Sequence, residues 1–169
     1  NSGARFKPGE QGSRNVNLIA HIPLGGVFSV SDIEIEQELS RPYAYVSHLH
    51  GPANNGGFSI IDLKVPNRGR VLYNWRVPEP ELHKGGGGSA PTYLKSHGRY
   101  YFVQAFQWSQ QGPDADVGAI VFDVTGLPDT SKIKEVARIK IANSPGGFHE
   151  DFSYKHSDGR ALFLATTLR

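Results

Sequence analysis

An all-β fold is what this sequence predicts, and three observations predict it. Glycine and proline number 20 and 11 in 169 residues, and they fall between short apolar stretches. Those stretches alternate with period two and favour Val, Ile, Tyr and Phe, the pattern of half-buried strands. The pattern also returns. Gly57-Phe58-Ser59-Ile60-Ile61-Asp62-Leu63 and Gly118-Ala119-Ile120-Val121-Phe122-Asp123-Val124 have one form, offset by 61 positions (57 to 118).

Along the chain, residues 1–17 carry Gly, Ser and scattered charge and read as a flexible arm or linker ahead of 18–169. Residues 16–22 alternate well enough for a strand, stopped by Pro23 and Gly25-Gly26. Residues 31–38 alternate again, with Ile33 and Ile35 on one face and Asp32, Glu34 and Glu36 on the other. Strands follow at 43–46, 57–63 and 70–77, separated by a Gly/Asn loop at 51–56 and a Pro/Asn/Gly turn at 66–69. A long connection, 78–89, leads to an inner strand at 90–95, then strands at 100–103, 118–124 and 134–141. His149 opens another inner strand. Gly159-Arg160-Ala161-Leu162-Phe163-Leu164 then repeats Gly98-Arg99-Tyr100-Tyr101-Phe102-Val103, again 61 positions on (98 to 159).

Four short antiparallel strands per unit, with turns and no helix between them, is the signature of β-propeller blades. The chain holds about two and a half such blades, where a ring closes with about 4–8. An incomplete propeller is therefore expected. The alternative is one β-sandwich of about ten strands.

The cores Phe58-Ser59-Ile60-Ile61-Asp62-Leu63 and Ile120-Val121-Phe122-Asp123-Val124 resemble the LVIVD repeat. Tyr43-Ala44-Tyr45-Val46 and Tyr100-Tyr101-Phe102-Val103 fill its Tyr/Val strand, and Pro66 and Pro128 stand beyond the acidic positions. The resemblance implies a propeller from a bacterial exported or surface protein, and so a periplasmic or extracellular place. It implies little about activity, because propellers host many. The longer period and the histidine-rich loops depart from the family. Asp62 and Asp123 themselves read as turn caps.

Composition excludes several classes of chemistry. Cysteine is absent, which removes disulfides, thiolate metal sites and thiol catalysis. A net charge of +2 gives no argument for nucleic acid, and no apolar run reaches membrane-spanning length. The chain opens on Asn1 rather than Met, which reads either as a processed terminus, with a removed export signal the preferred explanation, or as the first ordered residue of something longer. Gly85-Gly86-Gly87-Gly88-Ser89 lacks the Lys-Ser/Thr ending of a phosphate loop and reads as a flexible or close-approach segment. Asp114 and Asp116 offer too few carboxylates for calcium.

Seven histidines are the reactive inventory. In a blade geometry His97 and His156 fall on one face of the ring. His48, His50, His83 and His149, with Glu150 and Asp151, fall on the other and converge at one channel mouth. Imidazole and carboxylate there would suit copper, zinc or iron. Trp75, Phe106 and Tyr73 read as core, whereas Trp108, just before a polar loop, is the candidate interface anchor.

Two functions follow. The first is a non-catalytic propeller module, a binding or scaffolding subunit of a larger exported protein or membrane-associated complex, with other protein subunits as partners and no cofactor. The second is a metal-dependent propeller enzyme, an oxidase or lactonase-like hydrolase using the histidine set. A sugar-binding surface protein rests on the aromatics alone.

Overall fold

The computed structural model describes residues 16, 18–26, 29–50, 56–108, 113, 117–142 and 146–167. Of the arm at 1–17 residue 16 alone is among them, and Asp114 and Asp116 lie outside them. The described chain is all-β, in antiparallel sheets of which none closes into a barrel. The first sheet runs in simple order through β1 (Ser29–Ile35), β2 (Tyr43–His50), β3 (Gly57–Asp62) and β4 (Arg70–Arg76). The second repeats that order through β5 (Gly86–Ser96), β6 (Arg99–Trp108), β7 (Ala119–Asp123) and β8 (Lys134–Ile139). A hairpin of β9 (Phe148–Lys155) and β10 (Ala161–Thr167) follows.

The two sheets repeat a pairing, with the Asp strands offset by 61 positions (62 to 123) and the strands opposite them by 58 (43 to 101). Tyr43 stands opposite Asp62 in the first sheet, and Tyr101 stands opposite Asp123 in the second. Both aspartates end their strands by accepting a backbone N–H two residues on, from Lys64 at 2.8 Å and Thr125 at 2.9 Å. The turn-cap role expected of them is what they perform. The His97-Gly98 link between β5 and β6 has φ of 49° and 75°, the two left-handed positions of a type I′ hairpin turn. Glycine satisfies the second position without strain.

Each sheet uses its two faces differently. The front of the first, with Tyr43, Tyr45, Phe58, Ile60 and Trp75, packs on the back of the second, with Phe102, Phe106, Ile120 and Phe122. Phe58 is the hub, 4.7 Å from the Phe102 ring, 5.0 Å from Phe122 and 5.6 Å from Trp75 between centroids. The front of the second sheet, with Val103, Ala105, Ala119, Val121 and Ile139, packs in turn on Phe148 and Phe163 of the hairpin. Front therefore meets back twice, in the same sense.

The first strands of the three sheets run side by side, β1 against β5 and β5 against β9. Small residues make this seam. Ser31 Oγ donates to the Gly88 carbonyl at 2.7 Å, and Ser89 Oγ to the Phe148 carbonyl at 3.1 Å. A Cβ on Gly88 would lie 2.7 Å from the Gly57 carbonyl oxygen, closer than real contacts allow. Gly88→Val should therefore cost about 1–3 kcal/mol in urea unfolding, as overpacking does. An unchanged midpoint would remove the close-approach argument.

Two expected elements differ. Gly86–Ser96 is one strand, so the glycine run belongs to the sheet and not to a loop. Its glycines serve close approach, the other half of that expectation. Residues 18–24 form no strand, although alternation at 16–22 predicted one. Instead Ile22 and Leu24 lie over Ala44, Val46 and Ile61 on the back of the first sheet. Alternation reports a face that needs cover; a ladder also needs an open strand edge, and among the described residues the cover here is side-chain packing.

Candidate functional site

His48 is the histidine most firmly placed by its neighbours. It is fully buried on β2, on the same side as Ala44 and Val46. Arg76 from β4 contacts its Nδ1 through Nη1. Guanidinium can only donate, so Nδ1 accepts and the ring proton sits on Nε2. Nε2 then donates to Ser59 Oγ at 3.1 Å, and the Ser59 hydroxyl donates onward to Asn74 Oδ1. The chain of bonds runs one way, from Arg76 through His48 and Ser59 to Asn74. Burial, with the Arg76 charge second, pushes the His48 pKa down to about 4.

This arrangement pairs a serine with a histidine but inverts a nucleophilic dyad. A catalytic imidazole accepts the serine proton and is backed by a carboxylate. Here the imidazole donates to the serine and is backed by a guanidinium, so it takes no proton from Ser59. Both ring nitrogens are engaged, and neither is open to a metal ion.

The other candidate ligands stand apart in their surroundings. His50, at the end of β2, is half-buried, and its Nδ1 is buried without a hydrogen-bond partner. His83 is buried in the connection between β4 and β5. His149 is exposed on β9, its Nδ1 3.2 Å from Gln107 Oε1. Glu150 is exposed beside it, its backbone N–H bound by Thr166 Oγ1 at 3.1 Å. Among the described residues, no three His, Asp or Glu side chains gather as a metal-ligand group.

Asp151 is a different case. Both of its carboxylate oxygens are buried without a partner, as is Ser153 Oγ two residues along the same strand. Burial foremost, then the negative charges of Glu150, Asp32 and Glu34, pushes its pKa up to about 8. Nothing in the sequence warned of this, because besides the adjacent Glu150 the charges that act on it, Asp32 and Glu34, come from β1, more than a hundred residues away.

Trp108 is half-buried at the end of β6, and its indole N–H donates to the Lys84 carbonyl at 3.1 Å. It thus ties a strand end to the connection between the sheets.

A polar clamp has no clear mark in the sequence. Glu36, expected on a solvent face, has a fully buried side chain gripped at both oxygens by Arg41, at 2.7 and 3.1 Å. The Tyr45 hydroxyl donates to the same carboxylate. Arg41 also donates to the Val124 and Thr125 carbonyls just past the end of β7, at 3.0 and 3.2 Å, and lies 3.8 Å over the Tyr100 ring. The available signal was the Glu-x4-Arg spacing across a tight turn, which is weak by itself.

Among the described residues, no helix is long and apolar enough to cross a membrane. Neither the family models, nor the curated proteins, nor the solved structures give any match to this chain.

Proposed function

We propose that the chain is a run of propeller-type blades acting as a non-catalytic binding or scaffolding module. It serves a larger exported protein or membrane-associated complex, in the periplasm or at the cell surface. One observation carries the reading: sheets of equal register stack front to back in one sense, with their first strands side by side. A sandwich needs two packed sheets, whereas a third begins here with the hairpin. The resemblance of the Asp62 and Asp123 strands to the LVIVD repeat supports the same assignment. Against catalysis stands the engagement of His48, the most buried of the expected ligands, on both ring nitrogens.

Protein purified from its native source, analysed for intact mass, co-purifying chains and metal, tests this. The expected result is a longer polypeptide or a stable complex, recovered from the periplasmic or surface fraction. Stoichiometric copper, zinc or iron would favour the enzyme instead. A free, monodisperse chain of 169 residues that unfolds cooperatively would overturn the open-ring reading and favour the sandwich.

A further inference from the structure

Each sheet sends its turns to its two ends, and one end of the first sheet differs from its counterpart in the second. There the β1–β2 turn and the β3–β4 turn lie side by side, tied by the Leu63 N–H donating to the Pro42 carbonyl at 2.8 Å. Each of these turns joins two paired or neighbouring strands of one sheet, so its shape is set by that sheet alone. In the β3–β4 turn a cleft of about 360 Å³ opens to solvent, lined by Asp62, Lys64, Val65, Arg68 and Arg70.

Three cations here share one carboxylate, and that carboxylate is already engaged. Asp62 Oδ1 accepts the Lys64 backbone N–H, and Oδ2 lies 3.8 Å from Arg70 Nη2. The acids of the adjoining turn are taken as well, Glu36 by Arg41 and Glu38 by Lys95. The matching turn of the second sheet, residues 123–134, is balanced: Asp123 and Asp129 stand against Lys132 and Lys134, with Asp129 paired to Lys132. The excess of positive charge is therefore not something this kind of turn requires. Aliphatic side chains stand beside it. Leu39, at the tip of the β1–β2 turn, is fully exposed, and Val65 is exposed on the rim of the cleft.

We infer that this end of the first sheet docks on the surface of an anionic lipid bilayer. Lys64, Arg68 and Arg70 take lipid phosphate groups at the cleft, and Leu39 and Val65 enter the headgroup layer. Charge complementarity selects an anionic occupant, because the cleft holds more positive charge than its own carboxylate can answer. The aliphatic tips select a bilayer among anionic occupants, since the boundary between headgroups and acyl chains takes up such side chains. A nucleic acid backbone would answer the cations and leave Leu39 and Val65 in water. The inference rests on the reading of the chain as a binding module and names the surface on which that module sits.

The test is co-sedimentation of the full 169-residue chain with vesicles of phosphatidylcholine alone and of phosphatidylcholine mixed with phosphatidylglycerol. The chain should bind the mixed vesicles only, and less as salt is raised. Arg68→Glu should weaken binding about tenfold or more, since each charge held at such a surface counts about fivefold. Leu39→Ser should also weaken it severalfold. Both positions are exposed, and unchanged urea midpoints show that the variants fold. Lys84→Glu makes the same change of charge past the far end of β4 and should alter binding less than about twofold, because salt screens it there. Equal binding to both vesicles, or equal losses from Arg68→Glu and Lys84→Glu, would overturn the surface. So would a tighter hold on a DNA duplex than on vesicles, or binding of inorganic phosphate by a chain that ignores the vesicles. Failure here together with recovery of a native complex would remove this surface and leave the binding module standing.

Discussion

Arg41→Ala should destabilise the chain by about 3–5 kcal/mol, the cost of leaving a buried carboxylate without its partner. The Glu36 side chain has no solvent exposure and Arg41 only 12%. Water therefore cannot replace the guanidinium when it is removed. The substitution also removes the Arg41 donor from the Thr125 carbonyl and leaves the Val124 carbonyl with the Leu127 N–H, both in the turn just past β7. Arg41→Lys should recover little, because a single ammonium cannot grip both Glu36 oxygens and reach across to the next sheet. Glu36→Met combined with Arg41→Met should lie well above Arg41→Ala, since an apolar pair leaves no orphaned charge. Urea unfolding of the wild type and these three variants checks the order. An Arg41→Ala loss below about 1 kcal/mol would place the clamp among ordinary surface pairs.

Stability should fall as pH rises from neutrality toward about 8, and Asp151→Asn should abolish that fall. The folded Asp151 holds its proton up to about 8, while the unfolded chain releases it near 3.8. Between those values the folded state binds more protons, so rising pH favours unfolding. His48 acts in the opposite direction over a narrower window. Its folded pKa is about 4 against 6.5 for the free side chain, so stability is lost as pH falls through that interval. The two effects oppose each other between about 4 and 6.5, and Asp151 acts alone of the two above that. Each tenfold difference in proton affinity between the folded and unfolded chain is worth roughly 1.4 kcal/mol. With some relaxation around an exposed hairpin, the Asp151 penalty is then on the order of 3 kcal/mol. Asp151→Asn should thus be the more stable protein at pH 8, with the wild-type acid limb preserved. Parallel pH curves for the two proteins would remove the argument.

What the sequence disclosed and what it hid follow from the range of the forces involved. The strands through Phe58 and Ile120 were legible because alternation, a closing Asp and a turn residue all lie within seven positions. Their all-β character needed no tertiary information. Residues 18–24 were misread because Ile22 and Leu24 meet a sheet formed by Ala44, Val46 and Ile61, and nothing local says whether that meeting is a ladder or plain packing. The surroundings of His48 were hidden for a related reason. His48 is defined by Arg76 and Ser59, which the register of β2, β3 and β4 brings to it. The pattern His-x-His carried no trace of either. Glu36 looked solvated by its place in an alternating run, yet Arg41 and Tyr45 draw it inward.

The seam of serines and glycines has a mechanical consequence. With small residues where the first strands meet and edge-to-face rings such as Trp75 and Phe122 farther out, centroids 5.5 Å apart, the proposed blades would pack as wedges. Wedges laid in one sense behave like the stones of an arch, so every addition turns the row by a similar angle. An open strand edge on a flat sheet invites endless lengthening, as in a fibril with uniform spacing. A row of wedges, as in the proposed propeller, would instead bend back on itself and end when its last stone reached its first.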